Sequence, residues 1–283
     1  MKSSVSNILS YGYLLLVPII TAGLGFGVGH VSYQVYLPIW LLNALIMIIT
    51  SWSIGLRVIQ LKNKEQSQLA KTAFFLIVPW ILISMFAGMG PPPETATEWS
   101  NTIIEQQMRY FLLVISGIFI AFGFTGLWES LKSKGENFYS ILSLTAILIA
   151  VPLFIINMLY WGFYLSEYFK IQAATNAINH PDWFLPMRQL FGLISVTEVA
   201  LTYFATFMIA IAFRKVGWLG KTSTTFYVLF SVVAIIIIIL SAFFTELFRI
   251  PGFAVSIPAI PLIMPYYFGV NLLRKIGSSN IDF

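Results

Sequence analysis

Long apolar segments separated by short polar ones recur along the whole chain. Each apolar segment reaches roughly eighteen residues or more, and about 20 helical residues at 1.5 Å of rise each cross a hydrocarbon core of about 30 Å. The hydropathy pattern predicts about eight transmembrane helices, near residues 8–29, 36–58, 70–90, 108–131, 138–166, 185–214, 222–246 and 255–275. The expected fold class is therefore all-α, a polytopic membrane protein in which residues 1–283 form a single integral membrane domain.

Composition supports a membrane protein and removes several other classes. Hydrophobic residues make up 58% of the chain and charged residues 10%, whereas a soluble domain has about 25% charged residues. The net charge is +5, but the basic residues are scattered over short loops rather than gathered on one face, which excludes nucleic-acid binding. Because cysteine is absent, thiolate metal sites and iron–sulfur clusters are excluded. The two distant histidines predict no metal site, and no cofactor is predicted.

The basic residues predict the orientation of the chain in the membrane. If the N-terminus is cytoplasmic, all but four of the 16 Lys and Arg residues lie on the cytoplasmic side. The four on the opposite side are Arg109, Lys170, Arg188 and Arg249. By the positive-inside rule, both termini are cytoplasmic. We expect a multi-pass location in the cell inner membrane, with the lipid bilayer as a partner.

Short sequence matches predict an internal duplication. The matched pairs, about 148 residues apart, are Tyr36-Leu37-Pro38-Ile39 with Phe184-Leu185-Pro186-Met187, Lys71-Thr72 with Lys221-Thr222, and Phe122-Gly123 with Phe268-Gly269. They predict halves 1–135 and 136–283, each with four helices in the same orientation, an arrangement that many transporters use to place a site between halves. Apolar segments also match easily by chance, and coincidence is the alternative interpretation.

Glu198 is the only acidic residue well inside a predicted transmembrane helix. A charged side chain at the centre of such a helix costs about 2.5 to 3.5 kcal/mol, so this carboxyl should face a partner, face a cavity or carry a proton. Arg188, Ser195, Thr202 and Thr206 recur on the same side of the sixth helix at helical spacing. The functional hypothesis makes this polar stripe the wall of a path for a substrate, an ion or a proton. In the alternative, a protonated Glu198 joins neighbouring helices as part of their packing.

Prolines interrupt the last predicted helix. Pro258, Pro261 and Pro265 lie within one span, and each interior proline removes a backbone donor and displaces the carbonyl four residues earlier. The span is therefore predicted to be a broken helix whose free carbonyls meet another helix, water or a ligand. A bent packing helix is the alternative, because proline is common in membrane helices.

Three functions fit these features. The leading hypothesis is a permease for a small solute or ion, coupled to protons, in which the stripe around Glu198 meets the broken last helix near the middle of the membrane. The second is a non-catalytic membrane subunit or sensor that anchors a partner subunit. The third is an intramembrane enzyme that acts on a lipid, quinone or isoprenoid with Glu198 as acid or base, although no histidine, cysteine or second carboxylate stands beside it in sequence. No catalytic residue is predicted from the sequence.

Overall fold

The computed structural model describes residues 2–56, 59, 64–175 and 180–279. Within these ranges the chain is helical and contains no strand. In the described part of the chain, eight helical segments are long and apolar enough to cross a membrane. These observations confirm the all-α, polytopic membrane fold, and an even number of spans leaves both termini on the same side. We call the opposite side the outer face.

The helices follow one another with short connections. They are α1 (Lys2–Gly27), α2 (Tyr33–Ile54), α3 (Lys64–Ile83), α4 (Phe86–Met89), α5 (Ala96–Asn101), α6 (Ile103–Lys132), α7 (Phe138–Leu159), α8 (Leu165–Thr175), α9 (Phe184–Lys215), α10 (Lys221–Phe243), α11 (Thr245–Ser256) and α12 (Ala259–Ser279). A π-helical turn, Tyr160–Tyr164, joins α7 to α8. The spans are α1, α2, α3 with α4, α6, α7 with α8, α9, α10, and α11 with α12.

All eight predicted helices appear in the predicted order, but several extend further than the hydropathy pattern indicates. The fourth span begins at Ile103, the fifth continues to Thr175 and the last begins at Thr245. The added turns carry charged residues such as Glu105, Glu167 and Glu246, and a hydropathy window detects only the part that is apolar enough for lipid. The predicted end of the second helix at residues 57–58, and the basic residues Arg57 and Lys62, lie outside the described residues.

Helix α3 occupies the centre of the bundle. It packs between α6 and α12, while α7 packs between α6 and α9, and α10 lies on the far side of α9. The inward-facing residues of α3 are almost fully buried. In contrast, α1, α2 and α10 expose rows of Leu, Ile and Phe side chains. These outward faces contact the lipid bilayer, because only an apolar surface is stable there.

Glycines let α6 and α12 approach α3 closely. A Cβ atom added to Gly123 of α6 would lie 2.4 Å from the Leu76 side chain, and one added to Gly269 of α12 would lie 2.9 Å from the Leu76 Cβ atom. Gly123 and Gly269 are the glycines of the two matched Phe-Gly pairs, and both face α3. The duplication into halves 1–135 and 136–283 stays a prediction.

Replacing Gly123 by Ala is expected to lower the stability of the protein by about 1 to 3 kcal/mol, because the new methyl group overpacks a closed helix contact. Leu76 is 0% exposed, so other residues enclose its side chain. Gly192→Ala in α9 is the control, since no atom lies within 4 Å of its added Cβ. Thermal unfolding in detergent should separate the two variants, and equal melting temperatures would contradict the close approach.

Two tyrosines of α12 donate to carbonyls of α1, and one of them replaces the bond that a proline removes. Pro18 has no N–H group, so the carbonyl of Leu14 has no donor four residues later in its own helix. The Tyr266 hydroxyl donates to this carbonyl at 2.7 Å, and the Tyr267 hydroxyl donates to the Leu15 carbonyl at 2.9 Å. The last span therefore holds the first one by hydrogen bonds that membrane lipid cannot supply.

The last span is made of two half-helices. Helix α11 returns along α10 in the opposite direction, with Gly252 against Ser241 and Val255 packed near Ile238. It ends at Ser256, and α12 begins at Ala259 after a break at Ile257 and Pro258. Pro261 lies in the first turn of α12, where a missing N–H leaves no helical bond unmade, and Pro265 lies inside α12.

Candidate functional site

Glu198 lies midway along α9 and is buried between helices. It is 3% exposed, and its Oε1 atom accepts a hydrogen bond of 2.9 Å from Nδ2 of Asn157 on α7. Its other oxygen, Oε2, has no hydrogen-bond partner among the described residues, and neither has Oδ1 of Asn157. An unpaired buried polar atom costs about 1 to 3 kcal/mol. Two such atoms on neighbouring side chains point to a bound water, an ion or a functional role.

Glu198 is one of the residues that line a small cavity. Its volume is about 30 Å³, enough for a small number of water molecules or an ion. The lining residues come from α6, α7, α9 and the break between α11 and α12: they are Gly117, Ile120, Ile147, Ala150, Val151, Phe154, Glu198, Val199, Thr202, Ser256, Pro258, Pro261 and Leu262. The cavity therefore lies where four spans meet, inside the bundle.

The polar groups of the cavity are oxygen atoms. The Thr202 hydroxyl donates to the backbone carbonyl of Glu198 at 2.8 Å, and the Ser256 hydroxyl donates to the carbonyl of Phe253 at 3.0 Å. Both hydroxyl hydrogens are used within their own helices, so towards any further group these oxygens act as acceptors. All lining residues other than Glu198 are uncharged. Such a set of acceptors suits a proton, a water molecule or a small cation, and it does not suit an anion.

The break in the last span brings two helix ends to this cavity. Helix α11 ends at Ser256 and α12 begins just after Pro258, and both of these residues line the cavity. The carbonyl of Val255, freed near the end of α11, accepts a hydrogen bond of 3.0 Å from the Tyr203 hydroxyl of α9. Discontinuous helices in transporters present such carbonyl ends to coupling cations.

The structure brings some of the predicted site residues together and leaves others apart. Glu198 and Thr202 line the cavity with Pro258 and Pro261. Thr206 is buried one turn further along α9, where its hydroxyl donates to the Thr202 carbonyl at 3.0 Å. Outside the lining, Ser195 is half-buried, Arg188 is exposed towards the outer end of α9, and Pro265 lies deeper in α12.

Asn157 is a site residue that sequence reasoning missed. It is 2% exposed and supplies the one hydrogen bond that the Glu198 carboxyl receives. The signal was present, because an amide inside the predicted fifth helix must find a partner away from lipid. The sequence does not say which neighbouring helix supplies that partner.

A second polar cluster, around Asn43, differs from the Glu198 site in its hydrogen bonding. The Asn43 side chain of α2 accepts a hydrogen bond of 2.5 Å from the Tyr13 hydroxyl and donates one of 3.0 Å to the Ser84 hydroxyl. Both ends of its amide are paired, as expected for polar groups that join membrane helices. The Glu198 and Asn157 pair differs, because each of these side chains keeps one oxygen unpaired.

Comparison with known proteins assigns the chain to no family. No protein-family model matches the chain, and neither a curated protein nor a solved structure matches it. Among the described residues, no group of three or more His, Asp or Glu side chains is arranged to hold a metal ion. The protein is a multi-pass membrane protein, and its candidate functional site is the cavity that Glu198 lines.

Proposed function

We propose that this protein is a permease of the cell inner membrane for a small solute or ion, coupled to protons through Glu198. The observation that carries the proposal is the unpaired Oε2 atom of a buried carboxyl beside a cavity at a broken helix. An ionisable group inside the membrane is expensive and commonly marks an ion or proton pathway. Transporters commonly bind their coupling ions near the middle of the membrane, at discontinuous helices.

The cavity favours an ion-sized cargo. A volume of about 30 Å³ holds a few water molecules at most, and a larger solute needs more room than this conformation offers. The acidic group and the oxygen lone pairs attract cations, which oxygen ligands bind well. Protons and monovalent cations are therefore the first cargoes to test.

The broken span supplies the moving part in this proposal. When Glu198 is charged, the cavity attracts a cation or a proton, and when the charge is neutralised the carboxyl is stable in apolar surroundings. Movement of α11 relative to α12 about Ile257 and Pro258 then exposes the cavity to one side or the other. Alternating access in transporters commonly moves one group of helices against another around a fixed site that discontinuous helices form.

Flux through purified, reconstituted protein tests the proposal. Vesicles with a trapped pH indicator are given a pH gradient, and then Na⁺ or K⁺ is added outside while the membrane potential is clamped. Movement of protons driven by one of these cations, or by the gradient itself, is the expected result. Vesicles with protein that behave like empty vesicles under every gradient would contradict the permease.

A subunit role is the second candidate, because the first two spans bury little surface within the chain. The most apolar windows of α1 and α2 are 17% and 22% buried, against 56% for the span that contains α3. A partner subunit would cover this surface. Native mass spectrometry from a mild detergent should then show a stoichiometric complex, and a lone monomer would contradict the subunit role.

A further inference from the structure

We infer that water and protons reach Glu198 from the outer face, along the seam between α7 and α9. This inference rests on the proposed function, in which Glu198 exchanges a proton, and it adds the side and the route of that exchange. Four residues support this inference. Asn157 lies on α7, Tyr160 lies in the π-helical turn that follows α7, and Phe191 and Arg188 lie on α9.

Three buried polar atoms without a hydrogen-bond partner follow one another between α9 and the outer end of α7. Besides Oε2 of Glu198 and Oδ1 of Asn157, the buried hydroxyl of Tyr160 has no hydrogen-bond partner within the described part of the chain. Tyr160 is 4% exposed. It follows Asn157 by three residues, so the two side chains share one helix face. The three atoms lead from Glu198 towards the end of α7 that faces outwards.

The two α7 groups are complementary for a bridging water. The Tyr160 hydroxyl is a donor without an acceptor, and Oδ1 of Asn157 is an acceptor without a donor. A water that accepts from the hydroxyl, linked directly or through further waters to one that donates to the amide oxygen, would pair both of them. Buried waters typically make about three such bonds to polar groups that are otherwise unpaired.

Helix α9 forms the other wall of the seam and carries it to the surface. The Tyr160 ring stacks on the Phe191 ring, with ring centroids 3.7 Å apart and planes 2° from parallel. One turn further out, Arg188 is exposed near the outer end of α9. From Arg188 to Glu198 the seam covers about 15 Å of helix, so a short chain of waters spans it.

The π-helical turn Tyr160–Tyr164 supports a functional seam at this point. Such turns insert an extra residue into a helix and occur frequently at functional sites. The turn is packed tightly on its other side, where a Cβ atom added to Gly162 would lie 2.3 Å from the Cβ atom of Tyr110. The extra residue thus brings Tyr160 against α9 while the backbone of the turn stays fixed on α6.

Thiol labelling tests the route directly, because the chain has no cysteine. Ser195 of α9 is half-buried, three residues from Glu198 on the predicted stripe, and Ser195→Cys keeps its size. Thr197→Cys is the control at the same depth, because Thr197 is exposed on the lipid side. A small, charged, membrane-impermeant methanethiosulfonate is added to the outer face of intact cells. It reacts with thiolates, which form only in contact with water.

The expected result is labelling of the Ser195→Cys variant at least about tenfold faster than labelling of the Thr197→Cys variant. Equal rates, or faster labelling of Thr197→Cys, would overturn the route. Labelling needs no transport, so the two proposals fail separately. Flux without a labelling difference removes the outer route alone, whereas a labelling difference without flux removes the permease alone.

Removal of the Tyr160 hydroxyl gives a second test. Tyr160→Phe keeps the stacked ring and deletes the group that anchors the water, while Tyr164→Phe is the matched control in the same turn. Infrared spectroscopy follows deuterium exchange at the Glu198 carboxyl after transfer into heavy water. We expect exchange to slow by about tenfold in Tyr160→Phe, because the water chain loses a hydrogen-bond donor, and to stay unchanged in Tyr164→Phe. Unchanged exchange in both variants would overturn the role of Tyr160.

Discussion

Replacing Glu198 by Gln is expected to reduce pH-dependent flux in reconstituted vesicles by at least about tenfold, because the amide neither binds nor releases a proton. The substitution keeps the size of the side chain, and its carbonyl oxygen still accepts the hydrogen bond from Asn157. The fold is preserved because a neutral group is less costly in the membrane than a carboxylate. Thermal stability that is equal or higher, together with lost flux, is the expected pair of results.

Glu129→Gln is the matched control for this experiment. It makes the same chemical change at an exposed position near the C-terminal end of α6, on the side of the membrane opposite the outer face. Its flux should equal that of the unaltered protein. Full flux in Glu198→Gln would remove Glu198 from the mechanism and leave it as a packing residue, whatever the control shows.

Replacing Ala150 by Val is expected to block flux without destabilising the protein. Ala150 is 1% exposed and lines the cavity, and the two added methyl groups occupy much of a space of about 30 Å³. Filling a void adds packing contacts instead of strain. The water or ion beside Glu198 is displaced, so the carboxyl loses its connection to the transported species.

Ala146→Val one turn earlier on α7 supplies the contrast. Ala146 is also buried, but it lies outside the cavity lining, so added methyl groups there should cost about 1 to 3 kcal/mol of stability. Comparison of flux and melting temperature for the two variants separates a blocked cavity from a damaged bundle. Normal flux in a stable Ala150→Val protein would contradict a functional cavity.

The transmembrane architecture was predictable because the lipid bilayer imposes a simple rule on sequence. A span must be apolar over about 20 residues and satisfy its own backbone, so hydropathy finds all eight spans. The same rule does not predict the residues at which the helices begin and end. Hydropathy does not detect the outer turns that extend the fourth span back to Ile103 and the fifth span on to Thr175, because these turns carry charged residues. Polar contacts also join this outer region; for example, the Trp99 ring nitrogen donates to the Ser166 hydroxyl at 2.8 Å.

The candidate site was predictable in its chemistry and not in its contacts. A lone carboxyl in a span identifies Glu198, and clustered prolines identify an interrupted last span, because both features are costly in lipid. Which part of the α9 stripe faces the cavity depends on neighbouring helices. Thr202 therefore lies at the cavity while Arg188 and Ser195 do not. The partner of Glu198, Asn157, is 41 residues away in sequence and is found only in three dimensions.

The most direct test of the central claim, that Glu198 exchanges a proton with water inside the membrane, is infrared spectroscopy of the purified protein as the pH is changed. We expect a carboxylic-acid carbonyl component that grows as the pH falls, that is lost from the difference spectrum of Glu198→Gln and that is retained in Glu129→Gln. A spectrum in which no such band depends on both pH and Glu198 would contradict the account.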